Sequence, residues 1–337
     1  MQAIRFDGVS KQFPGAARPA VDGCSLEVER GTFVVLLGPS GCGKTTLLKM
    51  VNRLYEPTGG HIFVGDTDVT RLPVEQLRRQ IGYVIQQTGL FPHMTVAQNI
   101  AVVPELLKWP KERTRTRTDE LLTLIGLEPG EYRGRYPAQM SGGQQQRVGL
   151  ARALAADPDL MLMDEPFSAV DAITRAGLQD EMIRLQHQLK KTILFVTHDV
   201  EEALRLGDLL VVMRAGRIVQ SGTPLSVLTK PADDFVRDLL GSDDTVRRLG
   251  LIRVDEVMTA DARPNGEAAT VSRMADLRHA LSTLLGTGGT HLAVTDDGRV
   301  IGTLSLDQIR CAARVGEGKT AALAESAKPT EARQARQ

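Results

Sequence analysis

Short runs of consecutive apolar residues alternate along this chain with longer stretches in which apolar residues recur every third or fourth position. Phe33–Leu37, Leu160–Met163, Thr192–Val196 and Leu209–Met213 have the length and composition of strands covered on both faces. Lys44–Leu54 places Leu47, Leu48 and Val51 at helical spacing. Thr95–Leu127 reads as helical through Leu106, Leu107, Leu121, Leu122, Leu124 and Ile125. Buried runs separated by helical patterns predict an α/β fold with a parallel sheet.

The pattern changes near Gly241–Asp244. Beyond Val254 the residues read as a strand at Ala269–Ser272, a helix at Met274–Leu285, strands at His291–Val294 and Val300–Leu304, and a helix at Leu306–Ala313. Asp296-Asp297-Gly298 between the two later strands is a hairpin signal. This β-α-β-β-α unit of about 60 residues is small for a lone domain and inclined to seek a partner. Residues 315–337 are rich in Ala, Glu, Lys and Arg and read as a mobile tail.

Length, 337 residues, suggests two or three domains. The 41 basic and 41 acidic side chains cancel, which argues against a general nucleic-acid binder but leaves room for a local phosphate site built from backbone N–H groups. No run approaches the ~18–20 apolar residues of a membrane helix, and Met1–Arg5 lacks a signal-peptide pattern. The expectation is a soluble cytoplasmic chain whose membrane role, if any, comes through a partner. Cys24, Cys42 and Cys311 are too scattered for a disulfide framework or a zinc cluster and read as reduced thiols. The basic stretch Lys108–Arg117 reads as a solvated face, and Trp109 as a packing anchor.

Gly38-Pro39-Ser40-Gly41-Cys42-Gly43-Lys44-Thr45 fits the spacing G-x-x-x-x-G-K-[ST] between a strand and a helix. Glycines let the backbone curl so that N–H groups face the β- and γ-phosphates, and the helix adds its positive end. Lys44 supplies charge to the same oxygens, the Thr45 hydroxyl enters a Mg²⁺ shell, and Thr46 completes the set of nucleotide contacts. Leu160–Met163 ends in Asp164 and Glu165. Asp164 is the candidate Mg²⁺ ligand, and Glu165 the candidate base that polarises an attacking water. Ser141-Gly142-Gly143 precedes the helical run Val148–Ala155 and reads as a second anion-binding helix start. Two such starts need two phosphates, or one phosphate shared between two chains.

With Met140-Ser141-Gly142-Gly143-Gln144 the sequence resembles the ABC transporter ATPases, Met140 standing where Leu is usual. The resemblance spans about residues 3–240 and implies a P-loop ATPase domain over 1–240, with a helical subdomain at about 90–155. It implies ATP and Mg²⁺ as cofactors. Phe13 matches the aromatic that stacks on adenine, Gln86 the glutamine that reaches the metal and the attacking water, and His198 the switch histidine at the γ-phosphate. Ser168-Ala169-Val170-Asp171 matches the D-loop, which places Asp171 among the nucleotide-site residues. It further implies a head-to-tail dimer, each ATP lying between the phosphate loop of one chain and Ser141–Gln144 of the other.

Ile81–Gln87, Leu90–Thr95, Lys49–Leu54, Ile173–Arg175 and Phe235–Asp243 look particularly like the ATPases of quaternary-amine osmoprotectant importers (glycine betaine, carnitine, choline). That subfamily implies a transmembrane permease, a second ATPase subunit, an external solute-binding protein contacted indirectly, and a place at the cytoplasmic face of the membrane. Val257-Met258-Thr259 and the unit over 255–314 resemble a single CBS module joined by a linker over 241–254. Such a module implies either a regulatory sensor or a dimerisation prop, paired across two chains. The alternatives are the ATPase of a sugar or amino-acid importer, a non-transport ABC protein, or a CBS-regulated enzyme.

Overall fold

The computed structural model describes residues 2–86, 89–168, 170, 172–242, 244–262 and 268–314. The chain divides into two compact units, Met1–Pro224 and Leu225–Gln337.

Among the described residues, ten strands build the first unit: β1 (Gln2–Lys11), β2 (Val21–Glu29), β3 (Phe33–Leu37), β4 (Gly59–Val64), β5 (Thr67–Asp68), β6 (Ile81–Val84), β7 (Leu160–Asp164), β8 (Thr192–Thr197), β9 (Leu209–Arg214) and β10 (Arg217–Gly222). Six form a sheet in the order β10-β9-β3-β8-β7-β6, parallel except for the edge strand β10. Every residue of β3, β7 and β8 is buried, as strands covered on both faces require. The remaining four make an antiparallel sheet, β2-β1-β4-β5, which the apolar pattern did not predict. Its β2 does alternate in burial, but register shifts along β1 break the period that would advertise the pair.

Helix α1 (Lys44–Val51) buries Leu47, Leu48, Met50 and Val51. They share one core with Ile4, Phe6 and Ile62 of the antiparallel sheet and with Leu36, Leu162 and Val196 of the parallel one. The helix directly after the phosphate loop is thereby clamped between two sheets.

Helix α2 (Val74–Arg79) leads into β6, after which four helices form a separate layer: α3 (Val96–Leu106), α4 (Lys111–Leu124), α5 (Pro129–Tyr132) and α6 (Gly142–Leu154). The stretch expected as one helical run, Thr95–Leu127, is two helices. Lys108 takes a left-handed conformation (φ 57°) and Pro110 begins the next helix, so the backbone turns between them. Trp109 packs there, with the Arg113 guanidinium 3.7 Å from its ring centre. Reciprocal capping boxes start α3 (Thr95 with Gln98) and α6 (Ser141 with Gln144). Helices α7 (Ala172–Leu189) and α8 (Val200–Leu206) complete the unit.

The second unit contains α9 (Pro224–Thr229), α10 (Asp234–Leu240), α11 (Thr245–Leu249), β11 (Thr259–Ala260), β12 (Thr270–Ser272), α12 (Leu277–Thr287), β13 (His291–Asp296), β14 (Arg299–Ser305) and α13 (Leu306–Arg314). Its sheet runs β11-β14-β13-β12, with only β12 and β13 parallel. Asp297 and Gly298, both at positive φ, close the β13–β14 hairpin in the geometry that Asp-Gly favours. Leu249 and Val254, from the stretch expected as a linker, lie in the same core as Leu277, Leu292, Val294 and Leu304. The expected tail, residues 315–337, lies outside the described residues. No helix among the described residues is long and apolar enough to cross a membrane.

Candidate active site

Strands β3, β8, β7 and β6 are neighbours and parallel, so the loops leaving their C-terminal ends converge. Those four loops carry the phosphate motif, His198, Asp164–Glu165 and Gln86 respectively.

At its two ends, Gly38 and Gly43, the phosphate-motif loop approaches other backbone too closely for side chains. A Cβ on Gly38 would lie 2.3 Å from the Met213 carbonyl oxygen, and one on Gly43 (φ 108°) would lie 2.3 Å from that of Ala20. Lys44 is buried, and its Nζ donates to the carbonyl oxygens of Gly38 (2.7 Å) and Pro39 (3.0 Å). The ammonium is thus folded back over the concavity of its own loop. Thr45 donates from Oγ1 to Asp164 Oδ1 at 2.8 Å, joining α1 to the end of β7. Ser40 and Gly41 are exposed, and Thr46 is half-buried in the first turn of α1.

Asp164 is buried, and that burial pushes its carboxyl above the ordinary aspartate range. Neighbouring Glu165 adds to the rise, while the Thr45 hydroxyl, Lys49 and Lys44 oppose it. Lys49 Nζ is 4.0 Å from Asp164 Oδ2. The sequence reading gave Lys49 no role at this site, although it follows Thr45 by one helical turn and so shares its face.

Glu165 stands at φ 47°, a left-handed conformation uncommon for a residue with a long side chain. Its carboxylate is bracketed: Oε2 accepts from Gln86 Nε2 at 3.3 Å, and Oε1 is 3.3 Å from His198 Nδ1. Two residues from two different loops, Gln86 and His198, therefore meet on one carboxylate beside the Thr45–Asp164 pair. Phe13 lies half-buried, edge-on to Tyr55 at 5.2 Å between ring centres, with Lys11 Nζ 5.3 Å from its own ring. Nothing in the sequence pattern singled out Tyr55.

Ser141 and Gly142 are exposed. The hydrogen bonds of Ser141 and Gln144 stay in the helical layer: Ser141 Oγ accepts from Gln144 N, Ser141 N donates to Gln144 Oε1, and Gln144 Nε2 donates to Tyr132. Gly142 has open space where a side chain would be, and Gly143 is half-buried. Asp171 lies outside the described residues.

The ABC transporter family model matches residues 21–168. The glycine betaine uptake system ATP-binding protein YehX of Escherichia coli (strain K12) is 49% identical over 308 residues, 91% of this chain and 98% of that protein. The chain belongs to the ABC transporter family. This ABC protein is also 48% identical, over 88% of its own length and 77% of the relative, to the choline transport ATP-binding protein OpuBA of Bacillus subtilis (strain 168). A solved ATP-binding cassette, a dimer in a post-hydrolysis state bound to ADP and Pi, matches with a TM-score of 0.59 and 32% identity, covering 66% of this chain and 98% of that one. The ABC protein described here is an ATPase that binds ATP with Mg²⁺.

The residues present suit that pair of ligands. The Lys44 ammonium over the loop suits phosphate, and the hard oxygen donors Thr45 and Asp164 suit Mg²⁺. The rise at Asp164 means that the folded chain binds the carboxyl proton more tightly than the unfolded chain does. Its stabilising contribution is complete below the unfolded pKa and is lost as pH rises through the folded pKa. At neutral pH the ionised group is therefore a liability, which a bound cation would relieve. Asp164→Asn should raise the melting temperature in EDTA at neutral pH, by on the order of 2 °C, and should remove the extra stabilisation that Mg²⁺ adds to ATP. Thermal scans with and without Mg²⁺ check this. A lower melting temperature with an intact Mg²⁺ response would contradict it.

Proposed function

We propose that this protein is the ATP-hydrolysing subunit of an importer of quaternary-amine osmoprotectants, working at the cytoplasmic face of a membrane beneath a separate permease. The site reading rests on one observation, the meeting of Gln86 and His198 on the Glu165 carboxylate next to Thr45–Asp164. The solute reading rests on relatives named for glycine betaine and choline that align along most of both chains.

In this reading Lys44 leaves the carbonyls of Gly38 and Pro39 and turns to phosphate oxygens in the concavity. Backbone N–H groups of Gly41–Thr46 and the start of α1 face the same oxygens. Thr45, Asp164 and Gln86 would hold Mg²⁺, which when bound would neutralise charge on the phosphate oxygens. Glu165 orients a water and accepts its proton, held in aim by the Gln86 amide. His198 sets the other side of that carboxylate and faces the γ-phosphate. Phe13 stacks on the base. Ser141, Gly142, Gly143 and Gln144 serve the second chain's nucleotide, consistent with the exposure of Ser141 and Gly142, and Asp171 belongs to the same interface.

The partners are thus a second ATPase subunit, a transmembrane permease and, through the permease, an external solute-binding protein. Residues 255–314 form a CBS-like module in this reading, paired with its counterpart in the second chain.

Glu165→Gln should bind ATP as tightly as wild type, accumulate as an ATP-bound dimer on size-exclusion chromatography, and lose turnover by about 100-fold or more. Wild-type turnover in this variant would refute the base assignment. For the solute, the protein co-purified with its permease and placed in vesicles should drive uptake of labelled glycine betaine or choline but not maltose. Maltose uptake with neither quaternary amine carried would refute the osmoprotectant reading.

A further inference from the structure

The backbone around Glu165 is held from several sides. Glu165 N donates to the Val196 carbonyl of β8 at 3.0 Å. Its own carbonyl accepts from Ser168 N at 3.2 Å and from Ser168 Oγ at 3.0 Å. The next carbonyl, that of Pro166, accepts from the side-chain amide of Gln146. A left-handed non-glycine residue persists only where its surroundings over-determine it, and these bonds do so here.

Among these bonds Gln146 supplies the one from the helical layer. It lies on α6, buried, five residues after Ser141, so about 7 Å along the helix axis from it. The side chains around it are mostly apolar, with Arg147 and Glu181 also lining the space, and the packing is not tight. A void of about 20 Å³ lies beside it, lined by Val84, Ile125, Leu150, Phe167 and Met182. Apolar surfaces over a void can slide with little change in energy, whereas a directional hydrogen bond cannot.

We propose that Gln146 is a positioning residue for Glu165, transmitting the orientation of α6 to the peptide that follows the base. The helix whose first turn is Ser141–Gln144 then sets how the carboxylate of its own chain is aimed. An event at the exposed start of α6 reaches the hydrolytic site of the same chain through one side chain. This rests on the reading of Glu165 as the water-polarising base.

Gln146→Met keeps the volume and removes the donor. It should lower kcat about ten-fold or more while the KM for ATP stays within about two-fold, because a misaimed base costs rate rather than ground-state binding. Gln146→Asn, which keeps an amide but shortens the reach, should give a smaller loss in the same direction and serves if the Met variant folds poorly. In the Glu165→Gln background, Gln146→Met should slow the residual rate no further. An unchanged kcat in both variants, a rise in KM that matches the fall in kcat, or a full additional loss in the Glu165→Gln background would overturn the proposal. Full turnover in Glu165→Gln alone would instead bring down the base assignment, and the positioning role with it.

Discussion

Two adjacent carboxylates at the end of one central strand set the terms for the rest of this site. Asp164 is inside the fold, where its charge is unfavourable, and Glu165 is turned outward in a strained conformation. Like charges side by side in a partly dry place persist only with compensation. Here it comes from every direction: the Thr45 hydroxyl and Lys49 on α1, Gln86 after β6, His198 after β8. The parallel order of the sheet delivers all of these to one edge, because each strand leaves its loop at the same end.

The polar groups of this site satisfy one another. Lys44 is turned onto the carbonyls of its own loop. Thr45 and Asp164 face each other at hydrogen-bond distance, a gap suited to sharing a cation. The same economy applies at Ser141, whose capping box leaves Gly142 open to the outside.

Much of this was legible in the residue order. The phosphate loop, the acids after β7 and the histidine after β8 each follow a short apolar run, and strand ends are where polar residues interrupt such runs. The hairpin of the second unit was equally plain in Asp297-Gly298, since left-handed positions call for that pair. What escaped was non-local or irregular. The antiparallel sheet hides its alternation behind register shifts, and the turn at Lys108–Pro110 interrupts a run that looked continuous. Tyr55 beside Phe13 and Gln146 against Pro166 are contacts between distant segments, which no local period announces. Lys49 was within reach of the sequence, one turn after Thr45, but its partner Asp164 became visible only when α1 was set against β7.

The central claim is that the phosphate loop and the Ser141 turn form one site only across two chains. Thiol cross-linking between one chain carrying Ser40→Cys and another carrying Ser141→Cys, in a Glu165→Gln, Cys311→Ser background, tests it most directly. The account predicts an intermolecular cross-link that forms with Mg²⁺–ATP and not without it. A cross-link yield that ignores nucleotide, or none in saturating Mg²⁺–ATP, would contradict it.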